Sequence, residues 1–452
     1  MSDHALQPRP SHLFYQSKPR RPLVERAEGI YIWDQNGKRY IDGSSGAMVM
    51  NIGHGNKRVL DAMRDQMERA TFAYRLHFEN EPAEELARRT SEYMPGDLKK
   101  LFFVSGGSEA IETCFKMARQ HALAIGQTSR YKIISRFPSY HGATFGSLAV
   151  TGYDALTKPF APMLQEMPKI AAPTAYLDRD NLSMEQRGER YADMLEEKIL
   201  SEGTETVLGF IMEPIGGAST GGLVAPGTYY SRVRDICTKY GVLLIHDEVM
   251  SGVGRTGRFL GGDHWGCVPD LVALSKGFGS GYMPLGAMVA SNRIVDAVQA
   301  SGGFQHGFTY AGNPLACAAG LAVLNEIEQE ALVENTATVG SQLKAELGRL
   351  AKRFPFIGDV RGLGFLLAAE FVSDRETMAP LPKELNAYQR AVDIAYDLGL
   401  IIYSRRTRGG VEGDHILVCP PMITTKEQVD EIIGILGVML LQLARELNLP
   451  IS

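Results

Sequence analysis

Two stretches hold residue types that could do covalent chemistry. In GVLLIHDEVMSGVGRTG, residues 241–257, an apolar run from Val242 to Ile245 stops at His246, Asp247 and Glu248 and passes into glycines. Such a run reads as a buried parallel strand with charge at its carboxyl end, the end at which open α/β sheets bind ligands. Strand alternation puts Asp247 and Val249 on one face and His246 and Glu248 on the other. In LVALSKGFG, a second apolar run (Leu271 to Leu274) ends at Ser275 and Lys276. Lysine at the close of a buried strand is costly unless it is paired or used. In a partly apolar site its pKa falls, which frees the lone pair needed to condense with an aldehyde. An acid that keeps a pyridine nitrogen protonated, together with such a lysine, is the minimal site for pyridoxal 5′-phosphate (PLP).

The elements that must position these residues are legible around them. KKLFFVSGGSEAIETCFKMARQHALA reads as a strand, a glycine turn and a helix. There the backbone N–H groups of Gly107 and Ser108 can face an anion, although glycine before a helix is also common for steric reasons alone. The strand YKIISRF ends at Pro138-Ser139-Tyr140-His141-Gly142. Tyr140 could stack on one face of a pyridine ring with Val249 on the other; a core tyrosine is the plain alternative. VLGFIMEPIGG adds a buried strand and Glu213, either near the cofactor or in a structural network. GVGRTG, residues 252–257, satisfies the GxGxxG pattern, but no helical period follows it in RFLGGDHWG, so a dinucleotide site is not expected.

Elsewhere, GIYIWDQNGKRYID alternates around Asn36-Gly37 as a hairpin does. Residues 57–70 and 82–93 read as amphipathic helices, the second opened by Pro82. A charged helix ends near Leu200, and a long helical stretch runs from Pro314 to Leu350. DVRGLGFLLAAEF is read as a strand, and a final helix starts at Thr425. Residues 1–22 read as an extended arm without the hydrophobic centre of a signal peptide.

Composition bounds the function classes. The 452 residues are 44% hydrophobic and 22% charged, with a net charge of -5 and five scattered cysteines without CxxC. This suits a large core and a cytoplasmic protein with reduced thiols, and it argues against nucleic-acid and membrane partners. No metal site is expected.

Eight motifs from Asp42 to Pro421 resemble the class III aminotransferases of PLP fold type I, in their ω-amine:pyruvate branch. They are SGGSEA (105–110), SYHG (139–142), EPIGG (213–217), HDEV (246–249), GRTGRF (254–259), LSKG (274–277), HGFTYAGNP (306–314) and VRGLG (360–364). The resemblance implies an α/β fold with a mostly parallel central sheet, helices on both faces and a smaller α/β lobe. Three regions are expected: 1–65 (arm and hairpin, part of the small domain), 66–325 (large PLP-binding domain) and 326–452 (C-terminal small domain). It also implies catalytic roles for Lys276 and Asp247. Cofactor contacts are expected from Gly107, Ser108, Tyr140, His141, Glu213, Asp247, Val249 and Lys276. Thr309 is expected to reach the partner subunit's cofactor phosphate in a homodimer, or in a tetramer of such dimers.

Departures from the family narrow the substrate. A glutamate, a glutamine and an arginine of the ornithine-type and 4-aminobutyrate-type relatives are replaced by Ala218, Met250 and Leu417, which disfavours a site that holds an amino acid α-carboxylate by that pair. The branch places a carboxylate-binding arginine on a mobile loop before Gly413-Asp414-His415. Arg405, Arg406 and Arg408 lie there, followed by an apparent GGVE insertion, and Arg408 ranks first. Met48, next to Ala47, takes the place of an aromatic pocket residue, beside Tyr140 on the substrate side; Tyr74, His77 and Phe78 are further lining candidates. The implied activity is ping-pong amino transfer from a primary (ω-)amine or ω-amino acid to a keto acid such as pyruvate. An aminomutase, racemase or decarboxylase of the same fold, or a silent PLP-binding protein, is the alternative.

Overall fold

The computed structural model describes residues 11–15 and 21–452, so most of the arm read at residues 1–22 lies outside the described residues. The chain enters through an antiparallel meander of β1 (Val24–Glu28), β2 (Tyr31–Asp34) and β3 (Arg39–Asp42). Its Asn36-Gly37 turn closes β2 onto β3, with Gly37 at φ +79°. Asp34 Oδ1 accepts from the N–H groups of Asn36 and Lys38, which satisfies the turn's backbone.

Seven strands form the central sheet: β4 (Leu98–Val104), β5 (Lys132–Phe137), β6 (Lys169–Ala171), β7 (Val207–Met212), β8 (Leu243–Asp247), β9 (Leu271–Leu274) and β10 (Gly286–Ser291). Their order is β4-β10-β9-β8-β7-β5-β6. β5 to β9 pair in parallel, and β10 runs antiparallel to both of its neighbours, so β4 again points with the rest. Every residue of β7 to β10 is buried, which explains continuous apolar runs where a half-exposed strand would alternate. Alternation is preserved across the two layers: Leu243 and Ile245 pack with Ile111 and Met117 of the Gly107–Ala124 helix, and Leu244 packs with Tyr191 and Tyr230 of the helices behind. The architecture is α/β as expected, with helices on both faces of a mostly parallel sheet.

The helices read at 57–70 and 82–93 are Lys57–Arg69 and Glu81–Glu92, capped by Asn56 and Asn80, with Pro82 in the first turn. The charged helix is Met184–Glu202, opened by a Ser183/Gln186 capping box. The stretch read as continuous from Pro314 to Leu350 is instead two helices, Pro314–Gln329 and Leu332–Arg353, because Ala331 takes a left-handed φ of +48°. DVRGLGFLLAAEF is likewise not one strand. Gly364, at φ +55°, turns β11 (Ile357–Leu363) back as β12 (Leu366–Asp374). A Cβ on Gly364 would lie 2.5 Å from the Thr256 carbonyl carbon, so the turn is also a close packing point.

β13 (Ala379–Pro380) pairs with β12, and β14 (Leu400–Ile401) joins β3 in parallel. β15 (Tyr403–Arg408) and β16 (Glu412–Val418) complete an antiparallel sheet in the order β11-β12-β16-β15. Its core also takes in Ile30 and Ile41 from the N-terminal meander and the apolar face of the final helix, Lys426–Leu447, capped by Thr425. Among the described residues no helix is long and apolar enough to cross a membrane. All five cysteines are buried and free.

Candidate active site

Five strands deliver their carboxyl ends to one edge of the central sheet, because β4, β5, β7, β8 and β9 share a direction. The residues just beyond those ends are Gly107 and Ser108, Tyr140 and His141, Glu213, Asp247, and Lys276. Asp247 closes β8 at 5% exposure. Its Oδ2 lies 2.8 Å from His141 Nδ1, and its Oδ1 accepts from Val249 N at 3.1 Å. His141 is held in turn by a bond from its backbone N–H to Thr151 Oγ1. The sheet therefore carries a carboxylate whose two oxygens are both fixed from behind.

Lys276 follows β9 at φ +47°, an uncommon conformation for a side chain of its size. Ser45, Met48, Val253 and Ser280 share it, and they surround one contact: loop 44–52 packs on Gly277, whose added Cβ would meet Asn51 Nδ2 at 2.2 Å. Backbone strain gathers where the surrounding structure over-determines it. The Lys276 side chain has no hydrogen-bond or ion-pair partner among the described residues. Burial pushes its amine below the usual lysine range, while Asp247 and Glu213 pull it back. Burial thus favours the neutral form of the amine, the form that carries the lone pair.

Opposite, the Gly107–Ala124 helix starts at Gly106 without a side-chain cap, and the Gly107, Ser108 and Glu109 N–H groups find no acceptor among the described residues. Ser108 Oγ accepts from Ala143 N at 3.0 Å. Gly142 lies against both hydroxyls of the cup: a Cβ there would be 2.4 Å from Ser147 Oγ and 2.6 Å from Ser108 Oγ. Glu112 Oε1 holds the far rim, accepting from Thr144 Oγ1 and from the N–H groups of Gly146 and Ser147. Free helix N-terminal donors inside a tight hydroxyl-lined cup suit a dianion. Val249 packs against Gly107, whose added Cβ would sit 2.8 Å from Val249 Cγ1.

Tyr140 is 39% exposed, and burial of the remainder, with Tyr403 and Asp247 nearby, raises its phenol. Glu213 is buried beside Arg136, whose Nη2 donates to the Glu213 carbonyl at 2.6 Å. Thr309 is exposed and lies outside this group in a single chain.

The loop arginines sort by strand alternation. GGVE is not a loose insertion but the turn between β15 and β16, with Gly409 and Gly410 at φ +64° and +85°, docked on Phe137 and Tyr153. Arg408, ranked first from sequence, is turned away and donates to the Met378 carbonyl; Arg406 pairs with Asp414. Arg405 lies on the other face of β15, donates to Tyr403 Oη at 2.6 Å, and is the arginine whose charge acts on Tyr140. Met48 does not line an open wall: it is 3% exposed, packed with Ile215, Leu366, Leu417 and Cys419, while Ala47 is exposed. Ala218 and Met250 border the same apolar cluster. Tyr74, His77 and Phe78 are exposed.

Two arginines of this region escaped the sequence reading. Arg136 sits inside the buried strand KIISRF, where a charge among apolar residues was the available signal. Arg255, fully buried within GVGRTG, ties the front loop to the C-terminal segment by donating to Asn51 Oδ1, Ser45 Oγ and the Cys419 and Pro420 carbonyls. No local pattern announces it.

Comparison with known proteins places this arrangement. The Aminotransferase class-III family model matches residues 15–440. The uncharacterized aminotransferase YodT of Bacillus subtilis is 39% identical over 418 residues, 92% of this chain and 94% of the relative. The putrescine–pyruvate aminotransferase of Pseudomonas aeruginosa is 34% identical, covering 95% and 92% of the two chains. Among solved structures, a thermostable (S)-enantioselective ω-transaminase from Thermomicrobium roseum superposes with a TM-score of 0.89 at 36% identity, over 96% of each chain.

Proposed function

Given that this chain belongs to the class III aminotransferases, which are PLP-dependent enzymes, we propose that it moves the amino group of a primary (ω-)amine or ω-amino acid to a keto acid, pyruvate first, in two half-reactions at one site. The observation that carries this reading is the partnerless Lys276 amine, lowered by burial, beside an Asp247 that His141 backs at 2.8 Å.

The residues present fit the cofactor. The uncapped helix start and the Ser108–Ser147 cup suit its phosphate, Asp247 suits its ring nitrogen, and Val249 and Tyr140 suit the two ring faces. When bound, PLP supplies an aldehyde and an electron-accepting ring. Lys276 is the residue that would hold the group covalently. Its amine, when free, would serve as the base that takes the donor-carbon proton and then as the acid that gives it back. Asp247 would keep the ring nitrogen protonated, and Tyr140 would cover one ring face.

Ala218, Met250 and Leu417 offer no charged partner for an α-carboxylate, which supports an amine or ω-amino acid donor. Arg405 is proposed to bind the keto acid carboxylate bidentately: among the described residues its side chain meets only Tyr403, by its hydroxyl and ring, and the Ser404 carbonyl, so it can swing away for an uncharged substrate. The putrescine and pyruvate of the Pseudomonas relative support the same pair of substrate classes. Thr309 is proposed to complete the phosphate site of a second copy. The exposed Phe72, Tyr74, Leu76, Phe78 and Tyr310 are the apolar surface that such a dimer would cover. The divisions near 65 and 325 and a cytoplasmic location belong to the same proposal, the latter supported by five free, buried cysteines.

The test is the visible spectrum of the PLP-loaded protein, followed through an amine panel without keto acid. A band that bleaches with terminal amines and returns with pyruvate is the expected outcome. A band that persists with every amine refutes the ω-amine reading.

A further inference from the structure

Behind Asp247, four buried polar atoms lack a hydrogen-bond partner: His141 Nε2, Glu213 Oε2, Arg136 Nε and Tyr229 Oη. Their residues are 2%, 6%, 3% and 0% exposed. Two contacts and one charge interaction connect the first three of these residues to Asp247. His141 Nδ1 meets Asp247 Oδ2. Burial raises the Glu213 carboxyl, opposed by the charges of His141 and Arg136 and by the Gly217 N–H that donates to Glu213 Oε1. Arg136 Nη2 lies 3.6 Å from Glu213 Oε2, and Arg136 also opposes the burial that raises the Tyr229 phenol.

Buried polar atoms are almost always paired, and adjacent orphans mark internal water. The donor and acceptor count supports one here. In the tautomer that gives Nδ1–H to Asp247, His141 Nε2 is an acceptor, and Glu213 Oε2 is another. A water between them donates one hydrogen to each and can accept from Arg136 Nε–H.

We propose that Glu213, acting through this buried water and His141, is a positioning residue for Asp247, and that Arg136 balances its charge. Without the water, the imidazole is held through only one ring nitrogen and can tilt, and the carboxylate that must meet the cofactor ring nitrogen tilts with it. With the water, both nitrogens are fixed and so is the tautomer. This gives Glu213 a place behind the cofactor and not in contact with it. The inference rests on the reading that PLP lies between Asp247 and Lys276.

Glu213→Gln, His141→Asn and the double variant of the full-length protein test it. Melting of the apo forms checks folding. The visible band of the PLP-loaded forms, followed against pH, reports on Lys276, which faces Asp247, Glu213, Cys419 and Arg255. Loss of the Glu213 charge should move the band's midpoint down by about one pH unit. kcat should fall about 10-fold with KM for the amine unchanged. In the His141→Asn background, Glu213→Gln should then cost less than about two-fold more, because the route is already cut. An unchanged kcat and midpoint in Glu213→Gln, or losses that multiply in the double variant, overturns the proposal. Should Glu213→Gln not fold, Glu213→Asp carries the test: it keeps the charge, breaks the water contact, and must lower kcat without moving the midpoint. A wild-type protein that shows no PLP band, or one that keeps it in Lys276→Ala, refutes the cofactor reading instead.

Discussion

Gly142→Ala puts the phosphate cup to a direct test. Gly142 sits at φ +138°, where an L side chain costs about 1–2 kcal/mol of backbone strain. The added methyl would stand 2.4 Å from Ser147 Oγ, 2.6 Å from Ser108 Oγ and 2.8 Å from Ser147 Cβ. Ser147 is fully buried and bonded to Thr144, and Ser108 holds Ala143 N, so neither hydroxyl can retreat without breaking a bond of the cup. Overpacking of this kind adds about 1–3 kcal/mol. If roughly half of the sum falls on cofactor binding, about 2 kcal/mol is lost, close to a 30-fold rise in the Kd for PLP. Titration of the apo protein with PLP, read by the visible band, gives that Kd, and apo melting separates it from a general loss of fold. Gly126→Ala is the control: Gly126 has φ +77° but open space around its Cβ direction, so it adds strain without a clash. Its PLP affinity should match wild type. A Gly142→Ala protein that binds PLP within two-fold of wild type would refute the placement of the phosphate in this cup.

Lys276→Ala should leave no borohydride-reducible adduct with PLP and cost about 10²–10⁴ in kcat, measured by mass spectrometry of the reduced protein and by steady-state rates. Arg405→Ala should raise KM for the keto acid about 10–100-fold, the worth of a charge-assisted bond, while Arg408→Ala stays within two-fold because Arg408 is spent on the Met378 carbonyl; the reverse order would restore Arg408. His246 and His415 are both pushed down to about 3 by burial. Their native pKa lies below the unfolded value near 6.5, so their contribution is intact above pH 6.5 and is lost as pH falls toward 3. Together they should remove about 4 kcal/mol of unfolding free energy between pH 7 and pH 5, measured by urea denaturation at the two pH values. A flat profile over that range contradicts their neutral burial.

Much of this architecture is written locally. A strand buried on both faces needs an unbroken apolar run, and VLGFIM, LLI and LVAL are such runs, so their carboxyl ends, with Glu213, Asp247 and Lys276, could be named before any coordinates. The Asn36-Gly37 turn and the Asn56, Asn80, Ser183 and Thr425 caps are equally local, because each depends on a side chain bonding backbone within a few residues.

Where distant segments meet is decided otherwise. Arg405 and Arg408 differ in no local property; alternation along β15 sends them to opposite faces, and only the pairing of β15 with β16 says which face looks at Tyr140. Met48 lies next to exposed Ala47 in the chain but under Leu417 and Cys419 in space, because the front loop folds back through left-handed residues. The Pro314–Leu350 stretch keeps a helical pattern through Ala331, yet the chain turns there. Arg136 and His141 come from β5 and the turn that follows it, Glu213 from the end of β7, and they are neighbours because β5 and β7 lie side by side. Periodicity and capping are short-range and survive in the sequence. The approach of residues far apart in the chain depends on strand order and register, which only the folded sheet decides.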